Sequence, residues 1–397
     1  MMLKTLISDD TQATPSDIPI IYIKTALLDE EFEGRSPALI LTKEDIFNIK
    51  RYERHSLNLP VTLTGVEHAL GFKKSNVPGL EPQDILHTYR QIRDHALSWS
   101  PIENNIKSVT FTIDRFAGSF YKNGSAIIES IEQMSIAQRL KLKVSDLSVA
   151  FINDLDPSAL DDQDLSIRNE LSAFLKSIAD EVEQHRQSAS TLSNSIEVFA
   201  NTLTQTLIPD INQKFNQANQ SGLASEITEL ERYIDDLTQQ IAEKAAEYKK
   251  NVALAFSGAP GGAFGLIITG GIFGKKAEDA RKAKNRLLKE KDAALEKLKV
   301  SRPLLNTVAS LAIYFEDMQF RMLDAHRSAV NLRDIWMMLS EYIQAAANEL
   351  ETIEDNQSLL TFALKFSNVV TPWNDINGFT NKLLAVFNSA LEQFNNQ

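Results

Sequence analysis

The 397-residue sequence contains no cysteine. Disulfides, thiolate catalysis and cysteine-ligated metals are therefore excluded. Histidine is scarce, with six in the whole chain. His87 and His95 stand eight residues apart, too far for the usual zinc pair on one helix. Positive charge is in deficit: 41 Lys and Arg face 53 Asp and Glu, a net charge of −12. That balance disfavours wholesale binding to nucleic acid or to an anionic bilayer. The opening stretch, MMLKTLISDDTQ, lacks an apolar h-region and meets Asp9 and Asp10 early, so no secretory signal peptide is recognisable. Catalytic motifs are missing too. In GGIFGKK the first glycine of a phosphate loop is replaced by Thr269, and Lys276 stands where Ser or Thr belongs. No Ser/His/Asp set and no GxGxxG after a strand is present. Acidic pairs such as Asp161 with Asp162 and Asp235 with Asp236 read as solvated faces. The expectation is a protein that is not an enzyme and carries no metal or cofactor.

What is present is helical periodicity. A hydrophobic content of 43% with 24% charged residues is that of an ordinary folded chain. Residues 1–40, with prolines at 15, 19 and 37, read as an irregular arm. Thr42 with Asp45 is a capping pattern that starts a helix running to about Leu59, before Pro60. Residues 73–84 read as a loop. A helix follows from Pro82 to Trp99, a restart at Pro101, and apolar positions that continue to about Phe151. An acidic loop covers 153–164. A helix over about 163–219, kinked at Pro209, carries a heptad seam: Leu175, Ile178, Val182, His185, Ala189, Leu192, Ile196, Phe199 and Leu203. On that seam His185 reads as a packed or paired core histidine. A second seam runs through Leu223, Ile227, Leu230, Ile234, Leu237 and Ile241 to Tyr248 and Val252. Beyond Pro303 a long helical face runs from Leu305 through Phe315, Met322 and Trp336 to Ile343, ending near Asp355. Residues 371–378 form a turn before a last amphipathic helix. No strand-like alternation and no repeat of solenoid length is visible.

The chain has one apolar segment without charge, from Asn251 to Gly274, and seven of its fifteen glycines lie there. Lys249 and Lys250 precede it, and Lys275 and Lys276 follow it. Pro260 and the glycines of SGAPGG supply a turn, so residues 223–302 read as helix, apolar tip and helix. One reading packs this hairpin inside a bundle core. The favoured reading places it against a bilayer. Val252, Leu254, Phe256, Phe264, Leu266, Ile267, Ile268, Ile272 and Phe273 are not confined to one helical face. Three glycine pairs, Gly258 with Gly262, Gly261 with Gly265 and Gly270 with Gly274, have the spacing that lets helices approach closely in lipid, and Gly271 adds to them. The flanking lysines can snorkel to phosphates. As one helix, Val252–Phe273 would reach about 33 Å, but Pro260 breaks it. The second leg, 263–273, covers only about 16 Å, so the segment anchors or inserts part way. Gly222 either turns the chain, laying the tip back along the rod, or lets it run on, so that the tip protrudes.

A long cysteine-free helical chain with an interior apolar tip, most specifically AFSGAPGGAFGLIITGGIFGKKAEDARKAK at 255–284, resembles the α-helical pore-forming toxins of the cytolysin A type. Within them it is most similar to the larger, A component of the binary alpha-xenorhabdolysin toxins. The resemblance implies an all-α, elongated bundle of long antiparallel helices with a coiled-coil neck and an apolar hairpin tip. Tail and neck would comprise 1–222 and 303–397, and the arm 223–302 would carry its membrane-contacting head at 251–276. It also implies a soluble monomer, secreted without a recognisable signal peptide. On target-membrane lipid it would join a smaller B component in a lytic hetero-oligomeric ring. The β-tongue of the single-chain toxins has no counterpart in the pattern.

Residues 275–302 are the one basic region, with eleven Lys or Arg against five acids. They read as a solvent face laced with i,i+4 pairs, or as a contact for anionic lipid or an acidic helix. Stacking aromatics for nucleic acid are absent there. Two function classes stay open: a membrane-active toxin component, and a non-lytic coiled-coil scaffold or adhesion protein whose apolar hairpin is buried.

Overall fold

The computed structural model describes residues 39–141, 143–220, 275–298, 303–376 and 379–396, with scattered positions among 19–23 and 233–250. These residues build an all-α fold. No strand occurs among them; a lone antiparallel bridge joins Ala159 and Asp355.

Helix α1, Lys43–Leu57, begins with the expected capping box: Asp45 N donates to Thr42 Oγ1, and Thr42 N donates to Asp45 Oδ2. Helix α2, Leu63–Leu70, has no counterpart among the helices expected from the sequence. It ends at Gly71, whose φ of 76° suits a residue without Cβ. Helix α3, Pro82–Leu97, opens on its proline, where the missing N–H costs nothing. Helix α4, Trp99–Glu132, follows after Ser98 alone. Pro101 lies inside its first turn instead of starting a new helix, because that turn needs no intrahelical N–H donor.

After Glu132 the structure departs from the continuous apolar run expected to Phe151. The chain divides into α5 (Ser135–Leu140), a 3₁₀ turn (Val144–Asp146) and α6 (Val149–Asn153). Two devices impose the break, one from a side chain and one from the backbone. Asp164 accepts the backbone N–H of Ser135 at 2.7 Å and of Ile136 at 3.0 Å, capping α5 from the first turn of the long helix that starts at Asp162. Lys141 then ends α5 with a φ of 52°.

Helix α7, Asp162–Thr202, carries the heptad seam. Leu175, Ile178, Val182, Ala189, Leu192, Ile196, Phe199 and Leu203 are all buried. It passes through a π-helical turn, Leu203–Leu207, into α8, Ile208–Gln220. The turn sits directly before Pro209. The Gln205 carbonyl, which an α-helix would pair with residue 209, lies in that turn, so the wider hydrogen bonding absorbs the missing donor. Helices α9 (Lys275–Leu298), α10 (Pro303–Thr352), α11 (Asn356–Val370) and α12 (Phe379–Asn395) complete the chain, with a 3₁₀ turn at Thr371–Asp375. The break at Pro303, the end near Asp355 and the turn near 371 match the sequence pattern; α11 is not marked by it.

The chain divides into two compact units: Met1–Leu27, Lys107–Thr191 and Ala329–Leu384 in one, Leu28–Ile106, Leu192–Ser328 and Ala385–Gln397 in the other. Helices α4, α7, α10 and α12 contribute residues to both. The first unit is centred on an aromatic cluster. Phe116 meets Trp336 edge-on at 5.0 Å and Trp373 at 5.3 Å, and Phe120 joins Trp373 at 5.5 Å. His185 packs on Trp336 at 5.0 Å with Glu181 at 3.7 Å, the packed and paired histidine its seam position implied. Burying aromatic side chains of this size stabilises by about 1.5–3 kcal/mol each. Gly124 lets α4 approach α11: a Cβ there would lie 2.5 Å from Val370 Cγ2.

The second unit has a polar thread through its apolar core. His95 Nε2 lies 3.0 Å from the Phe199 carbonyl, and Tyr52 Oη lies 2.6 Å from His95 Nδ1. A carbonyl only accepts, so Nε2 carries the proton and Nδ1 accepts from the tyrosine. The imidazole also stacks on the Phe199 ring at 3.8 Å. Burial pushes its pKa down to about 4, against the raising effect of the Phe199 carbonyl.

Candidate functional site

Most of the candidate tip lies outside the described residues. This holds for the apolar residues Val252, Leu254, Phe256, Phe264, Leu266, Ile267, Ile268, Ile272 and Phe273. It holds equally for the turn and close-approach positions Gly258, Pro260, Gly261, Gly262, Gly265, Gly270, Gly271 and Gly274, and for Lys249. Of the other flanking lysines, Lys250 is helical and exposed, and Lys275 and Lys276 are the first two residues of α9. Leu237 and Ile241 of the second seam are buried and pack with Leu287, Leu288, Ala294 and Ala309. The helix leaving the candidate tip is thus described in detail, and it is seated by charge as well as by apolar contact.

The buried face of α9 repeats every three or four residues: Ala280, Lys284, Leu287, Lys291 and Ala294. Two of these seam positions are lysine, and Arg281 beside them is also buried. For Lys284 and Arg281 the anionic partners come from α1 and α10. Lys284 Nζ donates to Asp317 Oδ1 at 3.1 Å. Arg321 holds Asp317 with two bonds, Nε to Oδ2 at 2.7 Å and Nη2 to Oδ1 at 3.0 Å. Its remaining nitrogen, Nη1, donates to Asp45 Oδ1 at 2.6 Å. Arg281 Nη1 lies 3.5 Å from Asp45 and 3.8 Å from Asp324.

Three cations therefore meet three carboxylates in a buried, charge-balanced network. Burial opposes the ionisation of Asp317, but Arg321 and Lys284 hold its carboxyl below the ordinary range. Burial likewise opposes the charge on Arg321, and Asp317 with Asp45 holds it above the usual arginine value. For Lys284 burial dominates and pushes the ammonium down, with Asp317 opposing. Such a network need not add net stability, yet removing one member leaves a buried charge unpaired. It therefore fixes which face of α9 is turned inward, as a polar residue at a heptad seam position does.

This corrects the reading of 275–302 as a solvent face. Lys282, Arg286 and Lys289 are exposed, and Arg286 approaches Glu290 at 3.9 Å in the expected i,i+4 sense. Arg281, Lys284 and Lys291 are buried. The pattern that could have announced this is on α10. Asp317, Arg321 and Asp324 recur at helical spacing between Phe315, Met318, Met322 and Ala325, all of them buried. Among the described residues no cluster of His, Asp and Glu could hold a metal ion, and no helix is long and apolar enough to cross a membrane.

Comparison with known proteins adds to this geometry. No protein-family model and no curated protein sequence matches the chain. Solved structures do. YaxA from Yersinia enterocolitica is 31% identical, with 90% of this chain and 100% of that chain covered, at a TM-score of 0.49. The XaxAB pore complex from Xenorhabdus nematophila matches at 30% identity, 89% and 99% coverage and a TM-score of 0.44. Soluble SmhA of the tripartite alpha-pore forming toxin Smh, from Serratia marcescens, is 13% identical with 95% of each chain covered. Its TM-score of 0.54 speaks to the fold alone.

Proposed function

This chain belongs to the family of YaxA, the alpha-xenorhabdolysin A components, and from that premise we propose that it is the A component of a two-component pore-forming cytolysin. The observation that carries the proposal is the 31% identity maintained over the full length of YaxA. The relative XaxA is found in a pore complex named XaxAB, which supports carrying the assembly over to this chain. The chain then works with a smaller B component, in a hetero-oligomeric ring on a target-cell membrane. It is a binding and assembly protein, not an enzyme. It reaches its target as a secreted, soluble monomer.

Membrane contact is assigned to residues 251–276, carried on the arm 223–302, with 1–222 and 303–397 as tail and neck. Two features support this: an uncharged interval from Asn251 to Gly274, and lysines on both of its flanks. Leu266, Ile267, Ile268, Ile272 and Phe273 supply apolar area. Pro260 and the glycines, Gly262 and Gly265 among them, turn the chain and let its legs approach. Lys249, Lys250, Lys275 and Lys276 meet lipid phosphates. The short second leg suits an anchor better than a pore wall.

Flotation with liposomes tests the assignment. A charge at bilayer depth costs about 2.5–3.5 kcal/mol on insertion scales. Leu266→Asp or Ile268→Glu is expected to abolish flotation and leave the thermal melt unchanged. If the hairpin is instead buried in a scaffold protein, the same variants lose stability, because a buried unpaired charge is strongly destabilising.

A further inference from the structure

We propose that a groove between α1, α9 and α12 is a binding site for a phosphate group. None of its described lining residues belongs to the apolar tip, and it does not depend on the tip's membrane role. Its volume is about 580 Å³. Helix α1 lines it with Lys43, Phe47, Asn48 and Arg51, α9 with Lys289 and α12 with Gln393. Glu44 is the one acid among its described lining residues, so three cations converge against one carboxylate. Lys43 and Lys289 form no ion pair with any described residue. Arg51 is oriented by the Tyr314 ring, 5.9 Å from its guanidinium carbon.

A second, much smaller recess adjoins the groove and shares Glu44, Asn48, Arg51 and Lys289 with it; Arg321 lines it too, as does Asp317, whose carboxylate is already held by Arg321 and Lys284. Its volume is about 20 Å³, room for a single acceptor atom. Asn285 lines this recess and is only 7% exposed. Its Oδ1 faces Arg321 Nη2 at 3.5 Å, while its Nδ2 donor has no hydrogen-bond partner among the described residues. A buried donor without an acceptor is unfavourable, and an oxygen entering the recess would satisfy it.

The chemistry selects the ligand class. A phosphate group offers three acceptor oxygens and up to two negative charges. One oxygen fits the recess at Asn285, and the others face Lys43, Arg51 and Lys289, which come from two different helices. A carboxylate has too few oxygens to engage both levels. Bound phosphate would tie α1 to α9, beside the buried network that already seats α9. The group can belong to a soluble phosphate ester or to a lipid headgroup. Lys289 lies fourteen residues from Lys275, about 21 Å along the helix, so a lipid would reach it only where the arm lies along the membrane surface.

Thermal melting of the full chain in potassium phosphate, against potassium chloride at matched ionic strength, tests the site. The expected result is a midpoint raised by phosphate in the millimolar range, with about tenfold weaker half-saturation in Lys43→Gln/Lys289→Gln. Both lysines lack ion pairs among the described residues, so this variant should melt like the wild type in chloride, which separates lost binding from lost folding. The source is distinguished in a Leu266→Asp background, which removes the tip's contribution. There, binding to phosphatidylcholine vesicles containing phosphatidic acid, lost in the lysine variant, assigns a lipid phosphate. A response to soluble phosphate alone assigns a free ester. Equal midpoints in phosphate and chloride, or a lysine variant that titrates like the wild type, would overturn the proposal whatever the tip does.

Discussion

Asp45 and Arg321 are separated by 276 positions in sequence and by 2.6 Å in space. The same carboxylate that accepts from Arg321 through Oδ1 also accepts from the Thr42 backbone through Oδ2, at 2.9 Å. One side chain therefore caps α1 and anchors the buried network that seats α9. Asp45→Ala should remove a cap, worth about 1 kcal/mol, and leave Arg321 with Asp317 as its main partner. The combined loss should approach 3–5 kcal/mol, the range for breaking a buried pair. Asp45→Asn, which keeps acceptor capacity without charge, should lose less. Urea titrations of both variants check the order.

The network also predicts an asymmetry between its cations and anions. Asp317 accepts from Lys284 and Arg321 together. Asp317→Leu therefore leaves an excess of buried positive charge and should cost about 3–5 kcal/mol. Lys284→Met removes the desolvation penalty of the ammonium while Asp317 keeps both bonds to Arg321. It still leaves three carboxylates against two cations, so it should destabilise, but by less than Asp317→Leu. Equal destabilisation of the two variants in thermal melts would contradict the description of Asp317 as the shared hub.

His95 predicts a pH dependence with a defined sign. Its folded pKa, about 4, lies below its ordinary value of 6.5. The unfolded chain therefore takes up the proton first as pH falls. The stability that neutral His95 contributes is fully present above pH 6.5 and is lost progressively between 6.5 and about 4, with an upper bound of about 3 kcal/mol. His185 is shifted the same way by burial and adds to the slope. Denaturant midpoints measured across this window should fall with pH, and His95→Gln should flatten part of that fall. An unchanged slope in the variant would show that the histidine is not held neutral.

Much of this was legible in the sequence, and the limits have a physical cause. The capping box at Thr42 and Asp45, the α7 seam and the breaks at Pro82 and Pro303 are local signals, set by neighbours three or four residues away. The partition of 133–153 into short elements was not legible, because the cap on α5 is supplied by Asp164, 29 residues from Ser135. The buried network was missed for the same reason. Arg281 and Lys284 look like solvated charges until α1 and α10 bring them Asp45 and Asp317. The candidate tip shows the reverse case: its lack of charge over 251–274 is plain in the sequence, and its placement lies outside the described residues.

Close helix approach gives a further check. A methyl group at Gly124 would meet both γ-carbons of Val370, at 2.5 and 2.6 Å. Gly124→Ala should destabilise the chain by about 1–3 kcal/mol through overpacking. Val370→Ala in the same chain should recover part of the loss. A single variant as stable as the wild type would mean that α4 and α11 part without cost.

In the function proposed, this chain anchors a two-component pore and does not form the channel itself. Pro260 interrupts its one uncharged segment, and a helical second leg over 263–273 would span about half of a ~30 Å hydrocarbon core. It also offers no charge between 251 and 274 with which to line a water-filled wall. The direct measurement is dye release from liposomes or red cells, with the purified chain alone and then with its B component. The expected result is binding with weak or no release by the chain alone, and efficient release once the partner is added. Efficient release by the chain alone would contradict the anchor assignment.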